Sequence, residues 1–232
     1  MLFNLLLTTL LLINPIEKEK EAKHLFILSG QSNMELLDPD ESFRPALEDE
    51  FGAENILIVK DAWGGQPIRR WYKKWKAPKG KDIAAQPDLY DSLMQKVELA
   101  MATEEIQSIT FLWMQGERDA REELGEVYEK SLKGLYKQLQ KDLGEKNINM
   151  VIGRLSDFDM NNERYPHWTM VRDIHQKLGE SKEKFSWVDT DDLNDGIGIQ
   201  GTPVENDLHY SEKGYKVFGE RLAEEAIKLI KN

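Results

Sequence analysis

The sequence predicts an α/β fold built on a parallel sheet. From Lys23 onward, short apolar runs rich in branched residues alternate with longer segments of helical period, the pattern of strands joined by crossover helices. At 232 residues the chain fits one ordinary domain. A domain of that size buries roughly 70% of the surface its unfolded chain exposes, enough for a core without staples. Hydrophobic residues at 40% and charged residues at 31% place it among globular proteins rather than disordered or fibrous ones.

The first segment differs in kind from the rest. Met1 to Ile16 is nearly all apolar and gives way abruptly to the charged stretch Glu17 to Lys23, which reads as the apolar core of an export signal within a leader over 1–22, with the domain proper over 23–232. No Lys or Arg precedes the run and no small-x-small cleavage site follows it, so a helix packed on the domain is the alternative. The run is shorter than the ~20 residues of a spanning helix, and no stable membrane span is expected. The expected location is periplasmic or extracellular, with the cytoplasm as the alternative.

Five strands are predicted, at His24–Leu28, Ile56–Lys60, Ile109–Trp113, Met150–Leu155 and Phe185–Val188, each too short for a helix. Between them Leu89–Thr103 places Leu93, Val97 and Ala100 on one face, and Leu124–Leu143 does so with Val127, Leu132, Leu135 and Leu139. A third helix follows Pro166. The last runs from Ser211 to Lys231, with Ser211 as N-cap and Val217, Leu222, Ala226 and Leu229 inward. The long irregular stretches 63–87 and 190–209 each follow a predicted strand, at the sheet edge where open parallel sheets bind ligands.

Charge and cysteine content remove several classes of function. A net charge of −11 argues against nucleic acid and anionic membrane as partners. The absence of cysteine excludes disulfides, thiol nucleophiles and Cys-ligated zinc.

The first strand runs directly into Ser29-Gly30-Gln31-Ser32-Asn33-Met34, which sets Ser32 on a turn at the productive edge. Serine alone is a poor nucleophile, and taken by itself this one is more simply a helix cap. Catalysis requires a histidine at the same edge to take its proton. Of four histidines, His24 opens the first strand while His167 and His175 belong to a helical segment. His209, in Asn206-Asp207-Leu208-His209 just before the last helix, has the required setting, with a carboxylate two residues away to hold its tautomer. Met114-Gln115-Gly116-Glu117 follows the third strand, and the Gln115 amide can donate to a developing oxyanion. Trp63-Gly64-Gly65-Gln66-Pro67-Ile68 follows the second, where paired glycines let backbone N–H groups approach a substrate.

Together the blocks Gly30-Gln31-Ser32-Asn33-Met34, Gly64-Gly65-Gln66-Pro67-Ile68, Trp113-Met114-Gln115-Gly116-Glu117 and Asp207-x-His209 resemble the carbohydrate acetylesterase branch of the SGNH/GDSL hydrolases, to which sialate O-acetylesterases and acetylxylan esterases belong. The resemblance spans Leu25 to about Ala226 with the blocks in the family's order. It implies a flavodoxin-like three-layer α/β/α fold with a five-stranded parallel sheet and a serine esterase acting on acetylated carbohydrate. Ser32 would be nucleophile and His209 base, with an oxyanion hole from the N–H groups of Ser32 and Gly65 and the Gln115 amide. No metal or organic cofactor is implied. Most SGNH hydrolases place the acid three residues before the histidine, where this chain has Asn206. Asp207 is therefore the expected acid, Glu117 an alternative, and a serine–histidine dyad a third. The competing readings are a non-catalytic carbohydrate binder on the same fold and a lipase- or thioesterase-type hydrolase.

Downstream of the glycines, Arg69-Arg70-Trp71-Tyr72-Lys73-Lys74-Trp75-Lys76 sets aromatic rings among five cations, a composition suited to an acidic sugar. Arg69, Trp71 and Trp75 are the expected sugar contacts, against a reading in which tryptophans at i and i+4 pack inward. Arg154, ending a strand at the same edge, is a further candidate contact, with an ion pair as the plainer explanation. The acidic run 189–196 does not space its oxygens as an EF-hand loop does, and is expected to be a solvated loop.

Overall fold

A computed structural model describes residues 22–232. The expected leader therefore lies, but for Ala22, outside the described residues. Among the described residues no helix is long and apolar enough to cross a membrane.

All five predicted strands form: β1 Lys23–Gly30, β2 Ile56–Ala62, β3 Ile106–Met114, β4 Ile148–Gly153 and β5 Phe185–Val188. They make one parallel sheet in the order β2-β1-β3-β4-β5. Burial on both faces accounts for their unbroken apolar runs, as in Leu25–Leu28. The connecting helices are α1 Ser32–Leu36, α2 Phe43–Phe51, α3 Asp88–Met101, α4 Glu117–Arg121, α5 Gly125–Asp142, α6 Trp168–Gly179 and α7 Glu212–Lys231. Right-handed crossovers put α3, α5 and α6 on one face of the sheet and α2, packed against α7, on the other. Ser211 caps α7 as expected, its hydroxyl accepting the Gly214 N–H at 3.1 Å.

Several elements were absent from the sequence reading. The helix α2 fully buries only Phe43 and Leu47 and carries Arg44, Glu48, Asp49 and Glu50 between its apolar residues, so its apolar stripe is too thin to stand out. The helices α1 and α4 are five residues each. Within the irregular stretch 190–209 a small antiparallel hairpin forms from β6 Gly196–Ile197 and β7 Pro203–Val204. Nor is the acidic run a solvated loop. Asp189 and Asp191 hold Arg154, Asp191 also holds Arg172, and Asp192 holds Arg221.

The strand order reverses between β1 and β3, and a crevice opens beyond the C-terminal ends of strands at such a point. Gly30 ends β1 beside Met114 at the end of β3. Its φ is +143°, and a β-carbon there would stand 1.9 Å from the Met114 carbonyl oxygen. Only glycine lets the two strands stay paired while the chain turns toward Ser32, with the Gln31 N–H donating to Met114 O at 2.8 Å.

Replacing Gly30 by Ala should cost about 3 kcal/mol, combining backbone strain with overpacking. Gly65→Ala, at φ +67° but with open space where the methyl would stand, should cost about 1 kcal/mol. Urea unfolding midpoints of the two variants check this order. Equal losses would show that the Gly30–Met114 approach is not the constraint.

Candidate active site

The turn after β1 and the loop before α7 bring together two side chains 177 residues apart: Ser32 Oγ and His209 Nε2 lie 3.0 Å from one another. With the ring proton on Nδ1, the serine hydroxyl donates to Nε2, the arrangement in which imidazole can withdraw its proton. A second serine–histidine contact, His24 Nδ1 to Ser108 Oγ at 2.7 Å, occurs at the opposite end of the sheet. There it follows from the register of β1 on β3, which makes the two residues direct neighbours. A hollow of about 420 Å³ lined by Ser108 also opens at that end, so neither pairing nor volume singles out the site. What distinguishes Ser32 and His209 is their setting among the glycine turn, a buried amide and buried carboxyls.

Asp207 is close to the imidazole without bonding it. Its Oδ1 accepts the backbone N–H of His209 at 2.9 Å and lies 3.9 Å from Nδ1, beyond hydrogen-bond range. Glu117 is buried, and its Oε1 accepts instead from Asn33 Nδ2 at 3.1 Å. Asn33, unassigned in the sequence reading, also donates to the Leu208 carbonyl at 3.1 Å and accepts the Tyr215 hydroxyl at 2.9 Å. One amide thus ties the serine turn to Glu117 after β3 and to the residue preceding His209.

Of the paired glycines, Gly64 gives its N–H to the Glu35 carboxylate at 2.9 Å. Gly65, in the left-handed region, faces open space. Gln115 is fully buried, and its Nε2 donates to Asp119 Oδ2 at 2.7 Å and to the Gln66 carbonyl at 3.1 Å. The same Asp119 oxygen accepts the Ile68 N–H at 2.8 Å, linking the glycine turn to the block after β3. On the far side the Tyr128 hydroxyl donates to the Gln115 carbonyl at 2.5 Å and lies 3.0 Å from His175 Nε2. Burial pushes His175 down to about 3, so the ring is neutral and serves as a strut. Asp119 was legible only as a carboxylate four residues after Gln115. Nothing local in the sequence marked Tyr128 or His175.

The expected sugar contacts are largely absorbed by the fold. Trp71 is 0% exposed, set edge-on against Trp113, and Trp75 is 4% exposed, so neither ring offers a face to ligand. Both rings turn inward from irregular backbone beyond the short helical turn Ile68–Arg70. Arg69 pairs with Glu122, Arg70 with Asp88 and Lys73 with Asp91, so three of the five cations are already neutralised within the chain. Arg154 is bound by Asp189 and Asp191 and stacks on Trp187, which leaves it no free edge for substrate. Trp63, immediately before the paired glycines, is 46% exposed, and its backbone N–H donates to Gly30 O at 2.9 Å.

Comparison with known proteins identifies the family and the fold. A family profile described as carbohydrate esterase, sialic acid-specific acetylesterase matches residues 35–228, beginning just past Ser32. Among solved structures, a protein from Arabidopsis thaliana superposes with a TM-score of 0.63 at 19% identity, covering 90% of this chain and 99% of its own. A carbohydrate acetylesterase from Xanthomonas citri gives 0.61 at 16% identity, covering 88% of this chain and 56% of its own. The structure of NanS gives 0.63 at 12% identity, covering 90% and 98%. At these identities the likeness speaks for the fold alone. A search of curated protein sequences finds no match.

Burial raises the Glu117 carboxyl from its ordinary 4.5 to about 7. The unfolded chain releases this proton near pH 4.5 and the folded chain only near 7, so stability present below 4.5 is lost as the pH rises through 7. Glu117→Gln removes that titration. Asp119, raised by burial to about 7, continues to act in the same sense. The urea midpoint should therefore fall less steeply from pH 4.5 to 7 in Glu117→Gln than in the wild type. Identical slopes would mean Glu117 does not titrate in this range.

Proposed function

The chain belongs to the carbohydrate esterase, sialic acid-specific acetylesterase family and is a carboxylic ester hydrolase; from that premise we propose that it removes O-acetyl groups from carbohydrate through an acyl-enzyme on Ser32. The observation that carries the proposal is the 3.0 Å contact between Ser32 Oγ and His209 Nε2 at the reversal of strand order. A carbohydrate binder on this fold would have no need of that contact.

In the proposed reaction Ser32 Oγ attacks the acetyl carbonyl as His209 Nε2 takes its proton. The tetrahedral oxyanion is received by the backbone N–H groups of Ser32 and Gly65, with the Gln115 amide as third donor. Collapse breaks the bond to the sugar oxygen, which leaves with the proton from His209. Water then attacks the acetyl-serine by the same base, releasing acetate. Asp207 is the proposed partner of Nδ1. Closing its gap requires a shift of roughly 1 Å, within what catalytic hydrogen bonds undergo when substrate binds. The apolar run Met1–Ile16 supports export to where polymeric or free glycans are met.

Ser32→Ala should reduce hydrolysis of a chromogenic acetate ester at least about 10³-fold. Near wild-type activity would remove Ser32 from the mechanism. Asp207→Asn should lower kcat by about 10²–10⁴-fold, and by more than Glu117→Gln does. The reverse order would transfer the acid role to Glu117.

A further inference from the structure

The chemistry proposed above has a direction, and the surface around His209 is not the same on all sides. The proton that Nε2 takes from Ser32 is delivered to the oxygen of the departing alcohol, so that oxygen must come within hydrogen-bond reach of the imidazole. The acetyl carbonyl points the other way, toward the Gly65 turn. The alcohol part of the ester therefore lies along the His209 wall of the crevice.

On that wall the surface forms a groove of about 360 Å³, bounded by His209, Tyr210, Leu36 and the β6–β7 hairpin with its tip. The hairpin is held in place. Gly198 bridges to Ser211 at the start of α7, and the Gly198 N–H donates to the Thr202 carbonyl at 2.8 Å. Ile199 stands at the tip, 53% exposed, and with Leu36 and Val204 gives the groove an aliphatic side. Gln200, Thr202 and Asp207 supply hydrogen-bonding groups. A lone exposed isoleucine means little. Here it lines a groove that ends on the proposed base.

A mixed lining of this kind suits a pyranose, whose C–H face packs on aliphatic carbon while its hydroxyls find amide, hydroxyl and carboxylate partners. The lining contains one carboxylate, Asp207, and no lysine or arginine. A sugar carboxylate seated there would face a like charge with no cation to offset it. We propose that the groove under the β6–β7 hairpin is the subsite for the leaving alcohol and that it takes an uncharged pyranose. The proposal rests on the esterase reading and adds to it the class of alcohol released.

The test uses the purified full chain with three esters: ethyl acetate, methyl 3-O-acetyl-glucoside and methyl 3-O-acetyl-glucuronide, following acid release by titration. The wild type should favour the glucoside over the glucuronide by about 10-fold in kcat/KM. Ile199→Ser should lower the ratio of glucoside to ethyl acetate kcat/KM by about 10-fold, mainly through KM. That ratio is independent of how much enzyme is folded. Ile199→Lys, which places a cation in the groove, should narrow the preference against the glucuronide. A wild type that prefers the glucuronide, or an Ile199→Ser ratio unchanged from wild type, overturns the groove assignment while leaving the esterase intact. A wild type that hydrolyses none of the three overturns both.

Discussion

The side-chain amide of Asn33 is the point on which the site depends. It meets Glu117 after β3, the Leu208 carbonyl before His209 and the Tyr215 hydroxyl on α7, and it follows Ser32 directly. Three stretches of chain far apart in sequence are thereby fixed relative to the proposed nucleophile. The Asn33 side chain itself is buried, where a satisfied amide holds its partners firmly and an unsatisfied one is costly. The arrangement explains the burial of Glu117 without giving it a direct role at the imidazole. Its carboxyl anchors Asn33, and Asn33 anchors the residue next to His209. The same burial raises the acid toward neutrality, so the support for the site and the pH dependence of stability share one origin.

The sequence was most informative where local chemistry and topology coincide. Each strand at the active edge was visible as an apolar run, and each ended in residues whose chemistry was unusual for a turn. Ser32, Gly65, Gln115 and His209 are thus placed at one edge by the sequence alone. Orientation was less legible. The spacing of Trp71 and Trp75 fits an exposed aromatic strip as well as a pair of core residues, and the deciding fact, Trp113 waiting on β3, lies far away in the chain. Arg154 suggested an ion pair without naming its partner, and the acidic run 189–196 suggested solvent, because neither has an obvious partner in its own neighbourhood. They are partners of one another. The β6–β7 hairpin has two residues per strand, too few for alternation to register.

Asp207 shows a subtler limit. A carboxylate two residues before the histidine is close enough to reach its own loop, and in the resting structure it does so by accepting the His209 N–H. A carboxylate three residues before would approach from another direction. The shifted spacing thus changes what the acid does at rest, and the proposed mechanism asks it to exchange a backbone partner for the imidazole as positive charge develops there. A bond to imidazolium, with charge on both partners, is stronger than the carboxylate's bond to an uncharged backbone N–H, so in the proposed mechanism the exchange would be favoured only once Ser32 has given up its proton.

Gln115 presents the same logic on the oxyanion side. The amide nitrogen is committed at rest to Asp119 at 2.7 Å and the Gln66 carbonyl at 3.1 Å, with Gln31 Oε1 a longer third acceptor at 3.4 Å, while the Tyr128 hydroxyl lies 3.1 Å from the amide oxygen. The bond to Asp119 is shorter and buried, and Asp119 is itself fixed by the Ile68 N–H. The amide plane is thus held from two sides, and the bond to Gln66 is the one that can be released. In the proposed reaction an oxyanion forming between Ser32 and Gly65 would compete with a neutral carbonyl for that hydrogen and gain a charge-assisted bond in exchange. A ground-state ester carbonyl, being neutral, offers no comparable gain. An amide arranged in this way would favour the transition state over the bound substrate, the condition for a donor to raise kcat rather than merely tighten binding.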